Sequence, residues 1–377
     1  MKTAMVHDWL IDFRGAEKVV EQIVQIPELG IEKLYTLLFS RSEFSCSPIG
    51  TMEVEESVLV KLPLSKKLYR QYILFLPFAA EQFDLSEYDM VISSSHSVAK
   101  GVITRSDQLH ISYCHTPMRY VWDLYHLYLR QMGLTKGIKG NIVRLIFHYV
   151  RMWDYLASKR VDLFIANSKY IARRIRKHYG REATVIYPPV DTERFMPSHR
   201  RDDYFITVSH LVPYKRVDLI VRAFNKMKLP LVVIGDGPDM RAIKSLADSN
   251  IELLGRLSDQ ELAEYVSRAR AFVYTAEEDF GIVPVEAQAS GIPVIAFGKS
   301  GVSESVIEGK TGVLFEEQNV ASLIGAVQRF IKNEDRFDPA FIRSNAERFS
   351  SQRFRHEFRD FVLSKYEDFK AGKNVRV

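Results

Sequence analysis

Ala271-Phe272-Val273-Tyr274-Thr275-Ala276-Glu277-Glu278-Asp279-Phe280-Gly281-Ile282-Val283-Pro284-Val285-Glu286-Ala287-Gln288-Ala289-Ser290-Gly291 is the stretch from which the rest of the 377-residue chain is read. Its first five residues are apolar, β-branched or aromatic, the composition of a buried strand. An acidic turn containing a glycine follows. Pro284 suits the first position of a helix, where its missing N–H costs nothing. Gly291 and Pro293 mark that helix's end, and residues 292–297 read as the next buried strand. In such a strand–loop–helix–strand unit the loop lies where open α/β sheets bind ligands.

Amides near Gly281 and Ile282 would face outward at the positive end of the helix, a seat for phosphate. Glu278 and Glu286, with seven residues between them, would repel a phosphate, so stability alone does not choose them. As acceptors for hydroxyl groups they suit a nucleotide sugar, which carries hydroxyls on both sides of its diphosphate. An acidic loop before an ordinary capped helix also produces the bare spacing, so the surrounding residues must decide.

Length favours two domains. Hydrophobic content of 46% and charged content of 26% describe a globular chain. No apolar run approaches the ~20 residues of a membrane span, and the N-terminus turns polar too early for a secretory signal. Cys46 and Cys114 are too few and too far apart for a disulfide framework or a Cys-based metal site, so a reducing cytoplasm is the expected location. The net charge of +5 fits an anionic substrate or membrane surface as well as simple solubilisation. Zinc-finger spacing, an aromatic RNP box and dense basic blocks are missing, which argues against nucleic acid.

In chain order, a first strand at 2–6 leads through His7–Glu17 into a helix at 18–24. Residues 61–83 combine Lys and Arg with Tyr, Leu and Phe on an expected helix; contact with an anionic membrane and packing on the domain with a solvated charged face explain it equally. Strands follow at 88–93, ending near His96, and at 109–114, ending at His115. Residues 141–159 are helical in pattern, again basic and aromatic. A strand at 161–166 precedes Ser168, a cap for the helix 169–178, and the polar run 198–203 is the expected linker. The second half alternates again: strand 204–208, helix 217–227, strand 231–234, strand 251–254, a capping box Ser258-x-x-Glu261, and helices at 320–331 and 351–369. Alternation in both halves implies two doubly wound domains. Gly235-x-Gly237 lacks the third glycine of a dinucleotide fingerprint, which disfavours an NAD-linked oxidoreductase.

Glu278-x7-Glu286 followed by Ala-x-Ala-x-Gly-x-Pro resembles the donor-site signature of retaining glycosyltransferases of family 4. Tyr113-Cys114-His115-Thr116-Pro117-Met118-Arg119-Tyr120-Val121-Trp122-Asp123 resembles the acceptor-side segment of family 4 mannosyltransferases that build bacterial O-antigen and related polysaccharides. The resemblance implies an α/β GT-B fold, two Rossmann-like doubly wound domains facing each other across a cleft. Residues 1–197 would bind acceptor, 198–350 the nucleotide sugar, and a helix in 351–377 would cross back to the first domain. It further implies catalytic roles for His115, Lys215 and Glu278. Gly15, His210, Lys215, Arg256, Leu257, Glu278, Phe280, Gly281, Ile282, Val283 and Glu286 would bind donor, and His96, Arg119, Tyr120 and Trp122 acceptor. Glu278 would hold donor-sugar hydroxyls, Glu286 the ribose, and His115 would orient the sugar.

Two positions depart from the family pattern. Arg14-Gly15 stands where a Gly-Gly pair is usual, and His210 replaces a diphosphate-binding Arg. An Arg is always charged, whereas a His at neutral pH is charged only in part unless phosphate holds its proton. The implied reaction is front-face transfer of a hexose, mannose from GDP-mannose, to a lipid-linked saccharide. It needs no protein nucleophile, no cofactor and, with no Asp-x-Asp present, no essential metal. Peripheral contact with the inner face of the cytoplasmic membrane fits such an acceptor. A UDP-sugar donor and a non-catalytic sugar-nucleotide-binding subunit remain the alternatives.

Overall fold

The computed structural model describes residues 1–375. The chain forms two compact units, Met1–Tyr187 completed by the residues from Phe354 onward, and Pro188–Arg353. The first holds β1 Thr3–His7, β2 Ile31–Thr36, β3 Glu53–Glu56, β4 Met90–Ser95, β5 Leu109–Cys114, β6 Leu163–Ala166 and β7 Thr184–Val185. The second holds β8 Phe205–Val208, β9 Leu231–Ile234, β10 Ile251–Gly255, β11 Ala271–Tyr274, β12 Val294–Phe297 and β13 Gly312–Phe315. Each set makes one sheet, ordered β3-β2-β1-β4-β5-β6-β7 and β10-β9-β8-β11-β12-β13. Every pairing is parallel.

The strand order reverses between β1 and β4 in the first sheet and between β8 and β11 in the second. Those are the points where helices on the two faces diverge and leave a crevice beyond the strand ends. The strands β1, β4, β5, β11 and β12 are buried throughout, as parallel strands covered by helices on both faces are. The last helix, Ser351–Lys370, buries Phe354, Phe358 and Val362 in the same core as Met5, Ile92 and Tyr113.

Several details differ from the sequence reading. The first unit ends at Tyr187 instead of 197, because Val190 pairs with Ser350 and Arg343 binds the Phe195 carbonyl at 2.9 Å. The segment 188–197 is thereby tied to the second unit's helix Pro339–Glu347. Residues 61–83 are not one helix: short turns Val58–Lys61, Ser65–Leu68 and Tyr69–Tyr72 precede the helix Leu76–Glu81. Pro63 interrupts any earlier helix, and Pro77 is tolerated because it lies in the first turn of the last. The helix after the opening stretch spans Ile282–Ala289, so Pro284 is its third residue and not its first. The missing amide is still one of the donors that a first turn leaves unused.

Candidate functional site

At the first reversal point, β1 ends in His7 and its register partner on β4 is Ser94. The Ser94 carbonyl can only accept, so the His7 Nδ1 that lies 3.1 Å from it carries the hydrogen. The Ser94 hydroxyl stands 3.1 Å from the same Nδ1 and 2.8 Å from His115 Nε2. On its far side His7 Nε2 lies 3.6 Å from Glu17 Oε1. Glu17 also accepts the Arg14 amide at 2.9 Å, closing the first turn of the helix Gly15–Val24. The Arg14 guanidinium meanwhile pairs with Asp12 at the surface.

Asp8, fully buried, organises the neighbouring loop. Its Oδ2 accepts the amides of His96 (2.6 Å) and Ser97 (2.8 Å), and Oδ1 those of Val98 (2.6 Å) and Ala99 (2.7 Å). Burial works to raise its carboxyl pKa, but His96, His7 and the donated amides outweigh it and hold the group below the usual range. The rings of His96 and His115 lie 6.2 Å apart, and Trp9 stands edge-on to His96 at 4.6 Å. Burial, with His96 and His7 adding to it, holds His115 well below the ordinary histidine range. His115 is therefore a neutral hydrogen-bonding group at neutral pH. Among the described residues no set of three or more His, Cys, Asp or Glu side chains is arranged to hold a metal ion.

The acceptor-side residues divide. Tyr120 reaches Ser97 at 3.3 Å and so stays beside the histidine group. Trp122 turns to a separate buried network, where its Nε1 donates to Asp154 at 2.7 Å and its ring stacks on His178 at 4.7 Å. Asp154 also accepts from Tyr179 and pairs with the buried Lys100 at 2.5 Å. Arg119 is half-buried on the same segment.

At the second reversal point, β11 ends in Tyr274, and the turn after β8 carries Lys215. The Lys215 ammonium is paired with Glu278 Oε1 and lies 3.1 Å from the Tyr274 hydroxyl. That hydroxyl in turn donates to Glu278 at 3.3 Å. Burial would depress the Lys215 pKa, but Glu278 outweighs it and raises it, so Lys215 stays charged. Thr275 Oγ1 donates to the carbonyls of Lys215 and Arg216, both at 3.0 Å, pinning the turn to β11.

Two glycine contacts shape this end of the sheet. A Cβ on Gly301 would fall 1.9 Å from the Asp279 carbonyl oxygen, so the loop 278–281 lies backbone to backbone against residue 301. Gly281 itself sits at φ +89° and opens the helix Ile282–Ala289. Its neighbour Phe280 is buried against Phe349, while Ile282 and Val283 are half-buried at the helix start. Glu286, on the next turn, is buried and meets Arg194 at 3.4 Å. Arg194 also pairs with Asp259 at 2.8 Å. His210 is exposed and its Nδ1 donates to the Asp236 carbonyl at 2.7 Å. Gly235 permits that approach, since a Cβ there would meet the Ser209 carbonyl at 1.8 Å. Arg256 is exposed and Leu257 half-buried on the loop after β10.

Each domain thus gathers its polar groups beyond the strand ends at its own reversal point, the arrangement of the GT-B fold. Residues 36–194 match the family model described as Glycosyltransferase Family 4, and residues 191–349 the one described as glycosyl transferases group 1. Matched by these adjoining models over both domains, the chain belongs with the group 1 and family 4 glycosyltransferases. Among relatives, an uncharacterized glycosyltransferase of Methanocaldococcus jannaschii is 32% identical over 54% of this chain and 56% of its own length. A GDP-mannose-dependent alpha-(1-6)-phosphatidylinositol monomannoside mannosyltransferase of Mycobacterium tuberculosis is 29% identical over 46% of this chain and 54% of its own. The chain thus spans about half the length of the curated relatives it matches. The structure of Anabaena HepE in complex with UDP and glucose is similar in fold, with a TM-score of 0.68 and 18% identity over 97% of this chain and all of that one.

The sequence reading missed His7, Asp8, Glu17, Ser94, Tyr274 and Arg194. A signal existed for His7-Asp8, which end the first strand as His96 and His115 end theirs. None existed for Ser94, whose role depends on register across β1, β4 and β5.

Proposed function

We propose that this chain transfers a hexose, mannose from GDP-mannose, to a hydroxyl of a lipid-linked saccharide with retention of configuration, in the synthesis of an O-antigen or related polysaccharide. The observation that carries the reading is the charged Lys215 held between Glu278 and Tyr274 beside the helix start at Gly281. Lys215, His210 and the amides of 281–282 would stabilise charge on the departing nucleoside diphosphate. Glu278 would accept hydroxyls of the donor sugar and Glu286 those of the ribose, while neutral His115, fixed by Ser94, would orient the sugar. The names of the mannosyltransferase relatives support the choice of donor.

The test is thermal stability of the purified chain with GDP-mannose, GDP-fucose, UDP-glucose, UDP-galactose, UDP-GlcNAc or NAD, in EDTA. A ligand at ~100 times its Kd stabilises by about 2.7 kcal/mol. Stabilisation by GDP-mannose that is lost in Glu286→Ala supports the reading. A response to a UDP-sugar alone overturns the donor, and no response to any nucleotide sugar overturns the enzyme reading in favour of a non-catalytic subunit.

A further inference from the structure

The helix Gly137–Ser158 is apolar on two faces. One face, Phe147, Val150, Trp153 and Ala157, is buried in the first domain's core. The other, Ile138, Ile142, Leu145, Tyr149, Met152 and Leu156, is between 47% and 80% exposed. These six recur at alternating intervals of four and three residues, so they form one continuous stripe about 27 Å long at 1.5 Å per residue. A contiguous exposed apolar stripe on a folded domain marks a surface meant to be covered.

Charge decides what covers it. Residues 124–160 hold seven Lys and Arg against one acidic side chain, the buried Asp154, and residues 57–80 hold four Lys and Arg and no acid. The two segments share a core. Trp153 donates to Glu81 at 2.8 Å, which ties the stripe's helix to Leu76–Glu81, where Phe78 is exposed. A second copy of so basic a face would be repelled. An anionic surface with an apolar interior satisfies both the stripe and the charges. No helix among the described residues is long and apolar enough to cross a membrane, so the helix would lie in the interface plane.

We infer that the exposed stripe of Gly137–Ser158, flanked by the basic residues of 57–80 and 124–160, is a docking surface for an anionic lipid bilayer. This relocates the membrane contact expected of residues 61–83, which become a basic flank. It is measured without donor or acceptor, so its failure leaves the donor reading standing.

The experiment is sedimentation of the full chain with phosphatidylcholine vesicles, with and without phosphatidylglycerol. Ile142→Asp and Leu145→Asp place a charge on the stripe, and Lys67→Glu with Lys139→Glu reverses charge at exposed positions. Circular dichroism and the nucleotide-sugar response check folding of each variant. The expected result is binding only to vesicles containing phosphatidylglycerol, weakened at least about tenfold in each variant, with the charge-reversed one losing its salt dependence. Wild-type chain that stays in the supernatant overturns the inference, as does binding that no variant changes. A wild-type dimer that Leu145→Asp converts to monomer, without vesicle binding, would assign the stripe to a second copy instead.

Discussion

The two domains share a topology and place their polar groups at the same point of it, yet they build those groups differently. In the first, Asp8, His7, Glu17 and Ser94 are buried: Asp8 takes four loop amides, Ser94 bridges His7 and His115 across three strands, and Glu17 faces His7 from the helix. In the second, the Lys215–Glu278 and Arg194–Glu286 ion pairs, one phenol and closely approached glycines do the work, with Tyr274, Glu278, Gly281 and Glu286 drawn from one stretch of chain. A site made of buried mutual partners is coupled to its domain's stability. A site made of close backbone approaches and a partly open ion pair changes its chemistry with less effect on the fold.

The largest effect is expected at Asp8. Asp8→Asn leaves some of the four donated amides without an acceptor and removes the charge facing His96, at a cost of about 3 kcal/mol. Urea unfolding followed by tryptophan fluorescence reads this domain alone, since Trp9, Trp122 and Trp153 all lie in it. An unchanged midpoint would erase the contrast between the domains. Next, Lys215→Met should lower kcat/KM by about 100- to 1,000-fold, the scale of losing a donor to developing charge, while the fluorescence midpoint stays put. A parallel loss of first-domain stability would show that the two sites are not separable in this way.

Acid sharpens the contrast further. Folded His96 and His115 titrate below their ordinary range because of burial, and His110 is lowered from 6.5 to about 4 for the same reason. The unfolded chain therefore binds more protons as pH falls below 6.5, so first-domain stability declines from there toward about 4. Asp8, depressed in the fold, adds a contribution that is complete above its unfolded value of about 4 and lost below it. Lys215 is shifted the opposite way and contributes nothing to this window. Fluorescence midpoints that stay flat between pH 7 and 5 would refute the assignment. The smallest expected effect is at His210: His210→Ala should raise the donor KM by about tenfold, the loss of roughly one hydrogen bond to phosphate. An unaltered KM would remove His210 from the diphosphate site.

The same contrast explains what could be read in advance. The second domain's turn was legible because Glu278, Gly281, Pro284, Glu286 and Gly291 lie within one short stretch, and glycine and proline announce local geometry. The first domain's group was only half legible. His96 and His115 stand at visible strand ends, but Ser94 reaches His115 through register and Glu17 reaches His7 through helix placement. The resemblance implies an acceptor role for Trp122, but nothing in the sequence shows that its N–H goes to Asp154, thirty-two positions away. The run 61–83 reads as one helix from its composition, whereas the structure breaks it into short turns, with Leu64 at φ +50° and a further helix only from Leu76.

Tyr113 directly precedes His115's strand end, and its ring packs against Phe354 at 5.9 Å while its hydroxyl binds the Ile186 carbonyl. The first domain is therefore finished by the helix Ser351–Lys370, which follows the second domain in the chain. During synthesis the second domain, one uninterrupted segment from Pro188 to Arg353, has all its parts before the first can close. The histidine group beyond β1 waits on residues made after the whole second domain, so a chain that stops short of Phe354 carries an assembled second domain joined to a first with a face of its core open.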